Sequence, residues 1–306
     1  MTTDTTPIDP SKLEAFVMRA LGDATAGYTG VLVSLGAKLG LYKALAGAGP
    51  VSSRELAERA QCAERYVREW LSAQAAGGYI AYHAFSDTYE LENEHAMVLA
   101  DEDSPYYIPH AWNAPASMWF DEDKLVAAFR TGAGVAWGER NGRLACGVAA
   151  FYRNGYRASL VSAWLPALEG LVAQLEAGIE VADVGCGHGH ATLLMAEAFP
   201  NSRFVGFDTH AESIAAARGH AAEAALAGRV RVECAAASEI TDRRYGLVCF
   251  FDTLHDLGDP VAAAQRAEAV LAPGGTLLLV EPFAHDRVQD NLSLVSQLYY
   301  SGSALI

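Results

Sequence analysis

Apolar residues in the first fifty positions recur three or four apart. Leu13, Phe16, Val17 and Leu21, followed by Val31, Leu35, Leu39, Leu41 and Leu45, predict a helical pair between Pro10 and Gly49. Ser52-Ser53-Arg54-Glu55 places a hydroxyl three residues ahead of a carboxylate, a capping-box pattern, so a short helix starts there and buries Leu56 and Ala57. Ala63 to Ala76 supplies a second helix with Tyr66, Val67, Trp70 and Leu71 on its buried side, ending at Gly77-Gly78. Two β-type runs, 79–84 and 88–91, flank Phe85-Ser86-Asp87 and read as a hairpin.

Helix, turn, helix and hairpin together predict a winged-helix arrangement over residues 12–95, behind a polar leader at 1–11 that is expected to be disordered. Residues 96–165 are rich in aromatics, among them Tyr106, Trp112, Trp119, Trp137, Tyr152 and Tyr156, and are expected to form a helical connector that roofs a pocket. From 166 to 306 the pattern changes. Short apolar runs at 181–184, 204–207, 230–234, 247–251 and 276–280 alternate with helical runs at 191–198, 211–227 and 261–271. That alternation predicts an α/β domain, a doubly wound and mostly parallel sheet covered on both faces. After 276–280 only Phe283 to Ile306 follows, so the last strands of such a sheet are expected to be missing.

Composition supports a folded chain: 51% of the 306 residues are hydrophobic and 19% charged. No apolar run approaches the roughly 20 residues a membrane span needs, and no basic or apolar leader is present, so a cytoplasmic protein is expected. The five cysteines form no CxxC pair, which predicts buried thiols rather than disulfides or a zinc site. A formal net charge of -15 repels nucleic acid, and the second helix of the winged-helix region sets Glu64 and Glu69 beside Arg65 and Arg68, a poor phosphate-tracking surface. Nucleic acid is therefore not expected as a partner, even with a winged helix.

The chemistry concentrates in Val181-Ala182-Asp183-Val184-Gly185-Cys186-Gly187-His188-Gly189-His190, a buried strand running into a glycine-rich turn and a helix. Glycines allow positive φ and let backbone N–H groups approach a ligand at the carboxyl end of the strand. Asp208 closes the next strand nineteen residues after Gly189, where a carboxylate accepts hydrogen bonds from both hydroxyls of a ribose. Loop and acid read as an adenosine site. The turn is GxGxG rather than the dinucleotide GxGxxG, so no pyrophosphate is called for. His188, His190 and His210 lack helical ligand spacing and a completing carboxylate, and no metal is expected there.

The segment from Val181 to Pro282 resembles the cofactor-binding half of class I S-adenosylmethionine-dependent methyltransferases. The resemblance implies that Gly185, Cys186 and Gly187 lie against the methionine part of S-adenosyl-L-methionine. Asp183 would steady the loop or the cofactor's amino group, Asp208 would hold the ribose, and Thr209 is a further expected cofactor contact. Where many relatives place an acid that reads adenine, this chain has Cys234-Ala235-Ala236-Ala237-Ser238-Glu239. Backbone near Ala236 and Ala237, or Glu239 from further along, is left to replace it. Phe250 and Phe251, closing the fourth strand of the series, complete the expected cofactor contacts.

Together with the front half and Thr253-Leu254-His255-Asp256-Leu257, the chain is similar to O-methyltransferases with an N-terminal dimerisation domain, particularly bacterial relatives of the plant-type enzymes. This implies that His255 is a general base, with Glu281 or Asp256 orienting it, although Leu257 replaces a usual tryptophan. It also implies a small, aromatic or polyketide-like acceptor and a homodimer formed through the apolar helices at 31–45. The alternative is a regulator that senses S-adenosylmethionine without turnover; His255 favours the enzyme.

Overall fold

The computed structural model describes residues 7–240 and 244–306. The chain divides into two compact units, Met1–Trp112 and Asn113–Ile306. This division differs from the expected 12–95, 96–165 and 166–306, because residues 96–165 form no body of their own and are shared between the units. Of the expected leader, residues 1–6 lie outside the described residues, and Pro10 and Ser11 already belong to a helix. Asp9 starts it: its carboxylate accepts from the Ser11 and Lys12 amides, and Pro10 follows at a position where its missing N–H costs nothing.

The first unit contains α1 (Pro10–Lys38), α2 (Leu41–Leu45), α3 (Ser53–Arg59), α4 (Glu64–Ala76), β1 (Ala81–His83), β2 (Thr88–Glu90) and α5 (Asn93–Leu99). Both halves of the predicted capping box form: the Ser52 hydroxyl accepts from the Glu55 amide, and the Glu55 carboxylate accepts from the Ser52 amide. β1 and β2 pair antiparallel as the predicted hairpin. On α4 the buried stripe is Val67, Trp70, Leu71 and Gln74, spaced three and four apart. Tyr66, expected in the core, is 79% exposed because it lies one position, about 100° of rotation, off that stripe. The Tyr42 hydroxyl donates to the Gln74 side chain at 2.5 Å inside the core, and the Trp70 indole donates to the Leu32 carbonyl.

The second unit contains α6 (Asn113–Phe120), α7 (Glu122–Thr131), α8 (Arg143–Ser159), α9 (Leu171–Ala177), β3 (Glu180–Val184), α10 (His190–Ala198), β4 (Arg203–Asp208), α11 (Ala211–Glu223), β5 (Val230–Cys234), β6 (Tyr245–Phe251), α12 (Pro260–Val270), β7 (Leu271–Val280) and α13 (Leu294–Leu305). Its five strands run parallel in the order β5-β4-β3-β6-β7. Alternate residues face opposite layers. Val181, Phe204, Leu247 and Cys249 pack with α9, α10 and α11, whereas Ala182, Val205, Val248 and Phe250 pack with α12. The sheet is doubly wound, as predicted, and its order reverses between β3 and β6.

At β7 the structure refines the sequence reading. Leu271 already pairs with Tyr245, and Leu247 next pairs with Thr276, so the four residues 272–275 stand opposite Gly246 alone, an irregularity in which Gly274 takes φ 77°. Among the described residues β7 has β6 as its strand neighbour and forms a sheet edge, and none of the helices is long and apolar enough to cross a membrane.

Tyr42→Phe removes the donor that satisfies buried Gln74. It should cost about 1–3 kcal/mol of unfolding free energy, read from the denaturant midpoint by tryptophan fluorescence. An unchanged midpoint would show that Gln74 finds another partner.

Candidate active site

The glycine turn is fixed across the end of the sheet. The amides of Gly185 and Cys186 both donate to the Phe207 carbonyl of β4, at 2.7 and 3.0 Å. Gly185, Gly187 and Gly189 all take positive φ, at 74°, 51° and 77°. At Gly185 a Cβ would overlap the Thr253 side chain, so the turn after β3 abuts the loop after β6. Gly187 instead faces open space, and a Cβ there would meet nothing within 4 Å. Asp208, closing β4, accepts from the Gly187 amide at 2.9 Å on Oδ2 and from the His210 amide at 2.8 Å on Oδ1. Each oxygen retains acceptor capacity for a further donor.

These groups line one cavity of about 870 Å³ in the second unit, within the roughly 300–1,000 Å³ typical of small-molecule sites. Trp137, Tyr152 and Tyr156 line it, with Tyr299 and Tyr300. Thr209, Ala237 and Phe251 line it too. Three expected cofactor contacts fall elsewhere. Phe250 is fully buried in the α12 layer, on the other face of the sheet from Phe251. Ala236 is absent from the lining, and its amide donates to the Glu239 carboxylate at 2.9 Å, which also occupies Glu239. Asp183, 1% exposed, lies behind the turn and accepts from the Thr192 hydroxyl of α10. Burial raises Asp183 to about 6, outweighing that hydrogen bond. Its place fits the loop-steadying role. Cys186 borders the cavity, but its thiol approaches Gly206, where a Cβ would come within 2.7 Å of Sγ. Its backbone is what the turn can offer a ligand.

At the other end of the cavity, Glu281 follows β7 and gathers three donors from the loop after β6. Its Oε1 accepts from the Thr253 and Leu254 amides at 3.2 and 2.8 Å, and its Oε2 lies 2.5 Å from His255 Nδ1. With Nδ1–H donating to Glu281, Nε2 is the nitrogen left to titrate, and it lies 3.3 Å from Asp256 Oδ1, a contact that favours a proton on it. Burial alone would lower the His255 pKa, but the Glu281 hydrogen bond and the charges of Asp256, Asp252 and Glu281 raise it above its ordinary value.

Sequence reasoning passed over two neighbours. Asp252 stands at φ 54°, its amide donating to the Val280 carbonyl, and Tyr152 of α8 hydrogen-bonds its carboxylate. Burial raises Asp252 above the ordinary carboxylate range. A non-glycine at positive φ carries no sequence signal, and Tyr152 is one aromatic among many. Asp252, His255 and Glu281 offer atoms within 4.8 Å of one another, a spacing open to a cation and away from the histidine turn. The Glu281 oxygens are already committed to N–H donors, and Asp252 is hydrogen-bonded to Tyr152 rather than to either of the other two. His188 and His190 line the cavity, and His190 stacks on His220 with centroids 5.3 Å apart. Burial first, then His220 and His188, lower His190 to about 3, so it stays neutral.

S-adenosylmethionine fits this donor set. The open face of Gly187 gives room for a chain against the turn, Asp208 retains two acceptors for a ribose diol, and Ala235 and Ala237 offer small apolar surface for a base.

Comparison with known proteins agrees with this reading of the fold. Residues 27–101 match the Rv2258c-like winged HTH domain, and residues 175–303 match a methyltransferase domain. A trans-aconitate 2-methyltransferase of Streptomyces avermitilis is 35% identical over 103 residues, covering 33% of this chain and 38% of the relative. The chain thus spans about two-fifths of the length of that curated relative. The mitomycin 7-O-methyltransferase structure is 20% identical over 94% of this chain and 86% of its own, with a TM-score of 0.64. Human N-acetylserotonin methyltransferase, solved in complex with S-adenosylmethionine, is 16% identical over 100% of this chain and 88% of its own, again at 0.64. The chain therefore joins an N-terminal winged helix-turn-helix domain to a C-terminal domain of the methyltransferase family.

Proposed function

We propose that this protein transfers a methyl group from S-adenosylmethionine to a hydroxyl oxygen of a small, aromatic or polyketide-like acceptor. The observation that carries the proposal is the shared cavity with the Gly185–Gly187 turn and Asp208 at one end and the His255–Glu281 pair at the other. When bound, S-adenosylmethionine supplies a methyl carbon activated by its sulfonium. The chain's residues do the rest. Asp208 and the turn bind and orient, the aromatic lining offers an apolar surface to the acceptor, and Glu281 holds the His255 ring. His255 takes the acceptor's proton on Nε2, leaving the oxygen its electron pair. Oxygen as the methylated atom is supported by this base and by the O-methyltransferase name of the mitomycin enzyme. The cavity argues against trans-aconitate, the acceptor named for the curated relative, because among the described residues its lining includes no lysine or arginine to hold carboxylates. A DNA-binding role is disfavoured because Arg65 pairs with Glu69 and Arg68 with Glu64 on α4.

Asp208→Ala removes charge-assisted hydrogen bonds to the ribose and should weaken S-adenosylmethionine binding about tenfold or more by calorimetry. Unchanged affinity in a folded variant would sink the site assignment.

His255→Ala should keep cofactor affinity while methyl transfer falls by about 10²- to 10⁴-fold. A neutral imidazole is the active form, so the rate should fall as pH drops through the raised His255 pKa, with its midpoint above the ordinary 6.5. Glu281→Gln removes the main raising influence and should move that acid limb to lower pH. A pH profile identical in both proteins would contradict the pairing.

We also propose a homodimer through the first unit. Of the face expected at 31–45, Leu41, Tyr42 and Leu45 are used in the core, since α2 packs beside α4 and α5. Val31, Leu35 and Leu39 remain exposed, and with Leu13, Phe16 and Leu21 they extend an uncovered apolar face along α1. Light scattering at micromolar concentration should give twice the 32.5 kDa chain mass, and a monomer with α1 intact would refute this.

A further inference from the structure

We propose that the acceptor carries an ammonium group close to the hydroxyl that is methylated, and that Asp256 is the residue that reads it. The inference rests on the methyltransferase reading above. The carboxylates on the cavity lining have unequal duties. Glu281 is committed to His255 Nδ1 and two backbone amides. Asp208, at the other end, gathers the Gly187 and His210 amides. Asp252 is held by Tyr152, and its Oδ1 is withdrawn from water. Asp256 differs from all three: its side chain is 44% exposed, and its one close polar partner among the described residues is His255 Nε2, at 3.3 Å. It is the acid beside the base that a ligand can touch.

The 3.3 Å contact fixes what that ligand offers. Nε2 and Asp256 Oδ1 stand side by side, and both residues are on the lining, so a molecule that meets both presents two donors about as far apart. One is the hydroxyl whose proton goes to Nε2. Charge identifies the other. Asp252, Asp256 and Glu281 all act on His255, while no lysine or arginine lines the cavity among the described residues. Arg140 is near enough to pull Asp256 down, yet its Nη atoms donate to the Leu305 and Ile306 carbonyls, and it is not on this lining. Burial raises Asp256 above the ordinary carboxylate range and, with Glu281, outweighs the opposing charges of His255 and Arg140. A cationic donor offsets the cost of that buried charge, whereas an anion is repelled. Tyr152, Tyr156 and Tyr299 add ring faces that accommodate a cation. The ammonium also changes the base. As the chain stands, Asp256 faces Nε2 and favours a proton on it. An ammonium drawn to Asp256 offsets that charge and leaves Nε2 to the hydroxyl. Asp256 is thus a specificity-determining residue.

The test is calorimetry on the full chain saturated with S-adenosylhomocysteine at about pH 7, where a benzylic amine is protonated and a phenol is not. The titrants are 2-(aminomethyl)phenol, its neutral counterpart 2-(hydroxymethyl)phenol, the anion 2-hydroxybenzoate, and 4-(aminomethyl)phenol, whose amine lies across the ring from the hydroxyl. The first should bind about tenfold or more tightly than each of the others, the increment of one charge-assisted hydrogen bond. Asp256→Asn and Asp256→Ser should each reduce its advantage over the neutral counterpart to less than about threefold, with S-adenosylhomocysteine affinity reporting that the variant is folded. Equal binding of the charged and neutral 2-substituted phenols overturns the proposal, as does an advantage that survives both substitutions. Equal binding of the two amine isomers also overturns it, because charge would then act without Asp256 placing the amine beside the base. So does a 2-(aminomethyl)phenol that does not bind measurably. Failure of S-adenosylhomocysteine to bind the unaltered chain defeats the underlying methyltransferase reading; its binding without a preference among the phenols defeats only this inference.

Discussion

The turn after β3 and the loop after β6 meet at Gly185 and Thr253, so closely that any side chain at Gly185 would overlap the threonine. The contact follows from sheet topology. All five strands are parallel, and their carboxyl ends share one edge. The order reverses between β3 and β6, so consecutive connections leave to opposite faces and open a crevice between them. Gly185 and Thr253 stand at the floor of that crevice. The Thr253 hydroxyl points back to the Gly185 and Phe251 carbonyls, which ties the ligand-facing turn to the loop carrying His255. The two ends of the cavity are therefore placed by one constraint, and neither is free to shift without the other.

Carboxylates do the rest of the positioning, at the ends of three of the five strands. Asp183 on β3 holds Thr192 in the first turn of α10, Asp208 on β4 gathers the Gly187 and His210 amides, and Glu281 after β7 gathers the Thr253 and Leu254 amides with His255. In each case a negative group is satisfied by donors of the loop it must fix, so the desolvation of the charge is offset by order in the site. Asp252 after β6 breaks this rule with its unpaired oxygen. Its other oxygen is held by Tyr152, so even this acid is tied to a neighbouring element, though only on one side.

The alternation of strands and helices was legible because buried parallel strands are apolar throughout; all seven residues of β6 are buried. The capping box at Ser52 was legible because it is a local hydrogen-bond pattern. Orientation within an element was harder. Phe250 and Phe251 are indistinguishable by type, and only the strand's register decides that one faces the cavity and the other α12. Tyr66 and the apolar residues of α1 carry the right helical period, but periodicity marks a face without saying whether the chain itself covers it. Asp252 was missed for a third reason: its place beside the site comes from a backbone conformation and from Tyr152, a hundred residues earlier, and neither is legible from local sequence.

His255 shows how the same carboxylates set chemistry as well as geometry. Burial pushes its pKa down and favours the neutral ring that can accept a proton; Glu281, Asp256 and Asp252 push it up further than burial pushes it down. A raised pKa makes the ring a stronger base and leaves a smaller fraction of it unprotonated near neutrality, and efficiency depends on the product of the two. Glu281 also fixes the ring's orientation, since Nδ1–H is held and Nε2 is turned toward Asp256. With Glu281 removed, a weaker base would be more fully available but no longer confined to one tautomer or one ring orientation. For the proposed base, holding the imidazole in a single geometry counts for more than its fraction unprotonated, because orientation cannot be recovered by occupancy.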